Sequence, residues 1–180
     1  MTSRPALLRR TGMARDGRLF LIRPSAGDDA QALVAVRDAV AAEGELIAGA
    51  PGGRSALEEG LALAGLLSQG GLSLTLEVEG AVAGHLMVRR LHQRLGDDEG
   101  EVAIAVHNSA RGVGLGRMLM DTAIDWARVV RIRRLRLGVF PSNERAIRLY
   151  RSVGFVEEPG PSRLDLPEGP RELLLMTLSL

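Results

Sequence analysis

The stretch Val106-His-Asn-Ser-Ala-Arg111-Gly112-Val113-Gly114-Leu115-Gly116 lies between two segments of different periodicity, and its reading decides the fold. Upstream, Glu101-Val-Ala-Ile-Ala-Val-His107 alternates, which puts Val102, Ile104 and Val106 on one face of a strand. Downstream, Leu115, Leu119, Thr122, Ala123, Trp126 and Val130 recur at helical spacing, with Arg128 and Arg131 placed to complement the dipole at the C-terminal end. A Gly-rich connection from a strand to a helix N-terminus is an anion site. The first-turn N–H groups have no intrahelical partner, the dipole favours negative charge, and glycines let a phosphate approach the backbone. Arg111 adds a guanidinium fork suited to phosphate oxygens.

Two common phosphate loops do not fit. A dinucleotide loop needs Gly-x-Gly-x-x-Gly and an acid ending the next strand, whereas this chain has Gly-x-Gly-x-Gly and a next strand ending in Val139-Phe140-Pro141. A nucleoside-triphosphate loop needs Lys-Ser/Thr after its last glycine, and Arg117-Met118 stands there. A phosphate loop of another kind and plain turn glycines both remain open at this point.

Working outward toward the N-terminus, Leu19-Phe-Leu-Ile-Arg23 is a short strand closed by Pro24, and a helix capped by Ser25 or Asp28 runs to about Glu43, with Gly44 as its stop. A second helix covers Ser55 to Ser68. Leu72 to Glu79 and Ala81 to Leu91 form an antiparallel hairpin turned at Glu79-Gly80, and the acidic stretch His92 to Gly100 reads as a loop. Toward the C-terminus, Arg134 to Phe140 is a strand broken by Pro141, and Ser142 or Asn143 caps a short helix that ends at Gly154. Phe155 begins a further strand, Pro159 to Pro170 is a turn-rich insertion, and Arg171 to Leu180 is a closing strand. Residues 1–18 read as a flexible tail and 19–180 as a single domain, a mixed α/β sheet with helices on its faces.

Composition narrows the function. Apolar residues make up 46% and charged residues 25% of the 180, the balance of a folded globular chain. The net charge of +1 with interleaved signs leaves no footprint for nucleic acid or an anionic membrane. No apolar run reaches bilayer length and no address signal stands out, so the expectation is a cytoplasmic protein. With no cysteine, disulfides, thiolate metal sites and a cysteine nucleophile are excluded. His85, His92 and His107 lack metal-ligand spacing, so no metal is expected. The basic run from Arg128 to Arg136 straddles a helix end and a strand start and has no aromatic platform beside it.

A second motif follows the next strand: Asn143-Glu-Arg-Ala146-Ile-Arg-Leu149-Tyr150-Arg-Ser-Val-Gly154-Phe155. With the Arg111-x-x-Gly114-x-Gly116 loop, it resembles the GNAT superfamily of acetyl-coenzyme A-dependent N-acetyltransferases, strongly from Glu101 to Phe155 and more weakly over the remaining elements. Where that family often has a Pro after the strand, this chain has Asn108, which changes the turn. The resemblance implies a mostly antiparallel central sheet of about seven strands with helices on both faces. It also implies a splayed parallel pair, the strands from Glu101 and from Arg134, with the coenzyme A thioester lying in the gap.

Acetyl-coenzyme A is then the cosubstrate, its pyrophosphate on Arg111, Gly112, Val113, Gly114, Leu115 and Gly116. Val106 lends backbone groups to the pantetheine and acyl carbonyl, and Asn143 binds the coenzyme, a role compatible with capping a helix. The resemblance makes Tyr150, the one tyrosine of the chain, the acid that protonates the departing thiolate. An amphipathic ring packed on an inner helix face is the other reading of that residue. Glu101 stands near the position of the carboxylate that takes the amine's proton directly or through water, and a solvated strand-edge residue is the other reading of it. The implied reaction is acetyl transfer to a primary amine by direct attack in a ternary complex, the acceptor being a small molecule or a peptide. A non-catalytic acyl-coenzyme A sensor or assembly module is the alternative. Exposed sheet edges and the last strand could support a homodimer.

Overall fold

The computed structural model describes residues 8–44, 52–92, 98–160, 162–166 and 169–180. Its strands are β1 (Arg10–Met13), β2 (Leu19–Pro24), β3 (Leu72–Val78), β4 (Ala81–His92), β5 (Asp98–Val106), β6 (Arg134–Val139), β7 (Val156–Glu157), β8 (Ser162–Leu166) and β9 (Gly169–Ser179). Its helices are α1 (Ala30–Ala41), α2 (Ala56–Ser68), α3 (Leu115–Val129) and α4 (Glu144–Ser152). The strands lie in the order β1-β2-β3-β4-β5-β6-β9-β7, with β8 paired to β9 off that path. Every pairing is antiparallel except β5 with β6.

Alternation along β3 divides the molecule into two layers. Leu72, Leu74 and Leu76 are buried in one cluster with Leu115, Leu119, Met120, Ala123 and Ala127 of α3, and each such leucine contributes about 2 kcal/mol relative to exposure. Ser73 and Thr75 point to the other face, where their hydroxyls bond Ser25 Oγ at 2.8 and 2.9 Å and where α1 and α2 lie. Arg23 anchors the start of α1 with a bidentate grip on Asp29, 2.7 Å to each oxygen, and holds that carboxyl below the usual carboxylate range. Asp29 also accepts from Ala26 N–H at 2.7 Å; it stands at the N-cap position of α1 in place of Ser25 or Asp28, and no side chain caps that helix. Ser55 caps α2, accepting from Glu58 N–H at 3.3 Å.

Three expectations are corrected. Residues 10–18 are not a loose tail, because β1 pairs with β2 from Arg10↔Ile22 to Met13↔Leu19 and Arg10 reaches Asp125 of α3 at 2.6 Å. Residues 1–7 and 93–97 lie outside the described set. The insertion from Pro159 to Pro170 contains β8, and among the described residues the path and β8 together make nine strands instead of about seven. Finally, β5 starts at Asp98, within the expected loop. Its acidic start is neutralised across the strands, Glu99 by Arg134 and Arg136 and Asp98 by Arg90, so charge does not prevent pairing there.

The feature that positions the site is a break in the sheet. The parallel ladder joins only Glu99, Gly100 and Glu101 to Arg134, Leu135 and Arg136, and beyond Glu101 strand β5 runs to Val106 with no partner on the β6 side. Gly100 lets the strands close at that junction. A Cβ there would stand 2.8 Å from Val88 Cγ1 and 2.9 Å from Leu135 Cδ2.

Candidate functional site

A cavity of about 740 Å³ opens beside the unpaired half of β5, between the N-terminal ends of α3 and α4. That size suits a small-molecule or cofactor site. Ile104, Ala105 and Val106 form one wall, Arg111, Gly112, Gly114 and Gly116 another, and Asn143, Ala146, Leu149 and Tyr150 a third.

The N-terminus of α3 is open to ligand. Gly114 is its N-cap at φ 94°, no side chain caps the helix, and no acid lies in the first turn. Gly112 (φ 80°) and Gly114 sit in the left-handed region that glycine tolerates, and nothing stands within 4 Å of a Cβ built on Gly112. First-turn N–H groups with neither a capping side chain nor a carboxylate form a fixed array of donors. Gly116 has a different use, since a Cβ there would meet Leu149 Cδ2 at 3.3 Å, so it lets α4 approach α3. Within the loop, Leu115 is buried and Val113 packs against the core, so only their backbones are available to a ligand.

Arg111 is placed differently from expectation. Its Nε donates to the Val106 carbonyl at 2.6 Å, and its two terminal nitrogens hold the Glu43 carboxylate at 2.6 and 2.8 Å. The guanidinium therefore ties the end of the α1 segment to the β5–α3 loop and is not a free phosphate fork. His107 N–H donates to Ala83 O at 2.9 Å, so by antiparallel alternation the Val106 backbone groups turn away from β4 toward the gap. Since Arg111 takes the carbonyl, of the two groups expected to serve a ligand the N–H is left.

Tyr150 lies on the inner face of α4, packed on Phe155 with ring centroids 6.1 Å apart at 52°. It is 7% exposed, and burial pushes its phenol up to about 12. At neutral pH it is a proton donor. Asn143 caps α4, its Oδ1 accepting from Ala146 N–H at 3.1 Å, and it also borders the cavity. Glu101 is not brought to the cavity. It lies on the paired half of β5, ion-paired to Arg89, five residues before Val106, or about 16 Å along the strand.

His107 and His85 do not border the cavity. His107 Nδ1 meets Ser109 Oγ at 2.8 Å at the loop's edge. His85 Nε2 meets Ser73 Oγ at 2.8 Å beneath α1, with burial pushing the imidazole down. Among the described residues no group of three or more His, Asp or Glu could hold a metal ion, and no helix is long and apolar enough to cross a membrane. Among the bordering residues for which no site role was expected from sequence are Glu43, and Arg15 from the turn between β1 and β2. An Asp16-Gly17 turn signal before the Leu19 strand was the available hint for the second.

The sequence matches the acetyltransferase (GNAT) family over residues 29–155. No curated protein matches it. Among solved structures it is similar to an acetyltransferase of the GNAT family from Streptococcus pneumoniae, with a TM-score of 0.78 and 27% identity over 89% of this chain and 99% of that one. It is also similar to the ribosomal-protein-alanine N-acetyltransferase of Brucella melitensis, with a TM-score of 0.76 and 28% identity over 88% and 99%. The phosphinothricin acetyltransferase of Sinorhizobium meliloti in complex with acetyl-coenzyme A shares the fold, with a TM-score of 0.78 at 19% identity over 88% and 87%.

Proposed function

The chain belongs to the acetyltransferase (GNAT) family, and from that premise we propose that it transfers an acetyl group from acetyl-coenzyme A to a primary amine by direct attack in a ternary complex. One observation carries the reading: the uncapped N-terminus of α3 and the protonated, buried Tyr150 open into the same cavity. The Brucella relative, named for N-acetylation of an alanine, supports an amine acceptor. The Sinorhizobium relative supports the fold that carries the cofactor.

The cavity fits the cosubstrate. The N–H groups from Gly112 to Gly116 would hold its pyrophosphate, Asn143 would border it, and Val106 N–H, free of the β4 ladder, would donate to the acyl oxygen. Acetyl-coenzyme A supplies an activated carbonyl and a thiolate leaving group. Val106 N–H favours negative charge on the carbonyl oxygen as the amine attacks, and the Tyr150 O–H gives its proton to the departing sulfur. Glu101 stands outside the cavity, so a water carries the proton from the acceptor ammonium. No covalent enzyme intermediate is needed.

Calorimetric titration with acetyl-coenzyme A, followed by an amine screen that reads thiol release, tests the proposal. Saturable binding and amine-dependent release that Tyr150→Phe suppresses support it. Binding without turnover on any amine would favour an acyl-coenzyme A sensor, and absence of binding would sink both readings.

A further inference from the structure

We propose that Arg15, in the turn between β1 and β2, is a phosphate-binding residue for the pyrophosphate of coenzyme A, filling the role that Arg111 leaves vacant. The inference rests on the acyltransferase reading and adds to it a residue from a segment that lies outside the family match.

The charge arrangement points there first. A pyrophosphate over the start of α3 gains from a cation beside the helix N–H groups, and the guanidinium expected to supply it is occupied by Glu43 and by the Val106 carbonyl. Of the other arginines bordering the cavity, Arg117 lies 3.7 Å from Asp121 and donates to Ser152 at 3.3 Å. The guanidinium groups of Arg15 and Arg145 have no hydrogen-bond or ion-pair partner among the described residues. Arg145 belongs to the first turn of α4. Arg15 lies against the loop itself, its Nε 3.6 Å from the position of a Cβ on Gly114, the N-cap of α3.

The turn is also held in place. Arg15 N–H donates to Val113 O at 3.3 Å, Arg18 donates to Ser109 O at 2.7 Å, and Ala14 is buried in the core cluster. Those contacts fix the turn to the glycine loop at Val113 and to the segment before it at Ser109. Arg10 fixes the strand behind the turn through Asp125. An exposed arginine stem on such a support loses less freedom when it meets a ligand than one on a mobile tail. Its fork pairs with two phosphate oxygens as a point charge does not.

The test is calorimetric titration of wild type, Arg15→Ala, Arg15→Lys and Arg15→Glu with coenzyme A and with 3′-dephospho-coenzyme A. Alanine keeps the backbone N–H that docks the turn, and an unchanged thermal unfolding midpoint verifies the fold. The expected result is a rise in Kd of about tenfold for Arg15→Ala with both ligands, partial recovery in Arg15→Lys and a larger loss in Arg15→Glu. Unchanged affinity in Arg15→Ala overturns the assignment. So does a loss confined to the ligand carrying the 3′-phosphate, or equal losses in the lysine and glutamate variants. Failure of the wild type to bind either ligand removes the acyltransferase reading along with it, whereas tight wild-type binding with an indifferent Arg15 removes this inference alone.

Discussion

Arg111 and Glu43, 68 residues apart in sequence, form a bidentate pair with N–O distances of 2.6 and 2.8 Å while the Arg111 Nε holds the Val106 carbonyl. Both side chains are partly buried, Arg111 to 16% and Glu43 to 29% exposure. After allowance for solvent screening, the pair should couple by about 1 kcal/mol in a double-mutant cycle of Glu43→Gln and Arg111→Met read by urea unfolding. Arg111→Lys should recover little of the loss, because one ammonium cannot hold both oxygens and the carbonyl. Additive single-variant effects would show that the pair does no structural work.

Gly114→Val acts on both stability and binding. A φ of 94° costs a β-branched residue on the order of 1–3 kcal/mol, and its side chain would point at Arg15 over the loop. The unfolding free energy should fall by that order, and coenzyme A affinity should fall more steeply than in Gly112→Ala, where nothing lies within 4 Å of the new Cβ. Equal affinity losses in the two variants would assign the effect to backbone strain alone.

Gly100→Ala tests the junction where the sheet parts. A methyl group 2.8 Å from Val88 Cγ1 and 2.9 Å from Leu135 Cδ2 overpacks a site between two strands and the core, with an expected destabilisation of about 1–3 kcal/mol. An unfolding midpoint within error of wild type would mean that β5 and β6 part more readily than their register implies.

The cavity walls were legible in sequence because each is a local motif. Loop and helix start are contiguous from Val106 to Gly116, and the second motif fits on α4 with its cap and its C-terminal glycine, Gly154 at φ 99°. What escaped reading is long-range. Arg10-Thr-Gly-Met13 has no apolar alternation, and it becomes a strand because β2 pairs with it and Asp125 draws in Arg10. The Arg111 guanidinium reads as free until the fold delivers Glu43 to it. Asp98 and Glu99 read as loop because the arginines that neutralise them stand on other strands.

Glu101→Gln should leave turnover within about threefold of wild type on any amine found to react, because the carboxylate is ion-paired to Arg89 on the closed half of β5 and away from the cavity. Stability should change by less than about 1 kcal/mol, as for exposed pairs generally. A hundredfold fall in kcat at unchanged KM would restore Glu101 as the base and require β5 to turn it toward the gap on binding.

Tyr150→Phe separates chemistry from binding. The ring keeps its packing on Phe155, so the coenzyme A Kd should stay within about twofold, while kcat should fall by about a hundredfold if the O–H donates to sulfur. The same substitution has a signature in alkali. Burial raises the phenol from 10.0 to about 12, so between those values the unfolded chain ionises before the folded one and binds fewer protons. Stability attributable to this group is therefore fully present below about pH 10 and is lost as pH rises toward 12, by about 2–3 kcal/mol in all. Urea unfolding across that window should show the decline in wild type and a flatter profile in Tyr150→Phe. Parallel profiles would mean that the phenol is solvated in the folded protein, and a solvated phenol could not act as the buried donor the reaction requires.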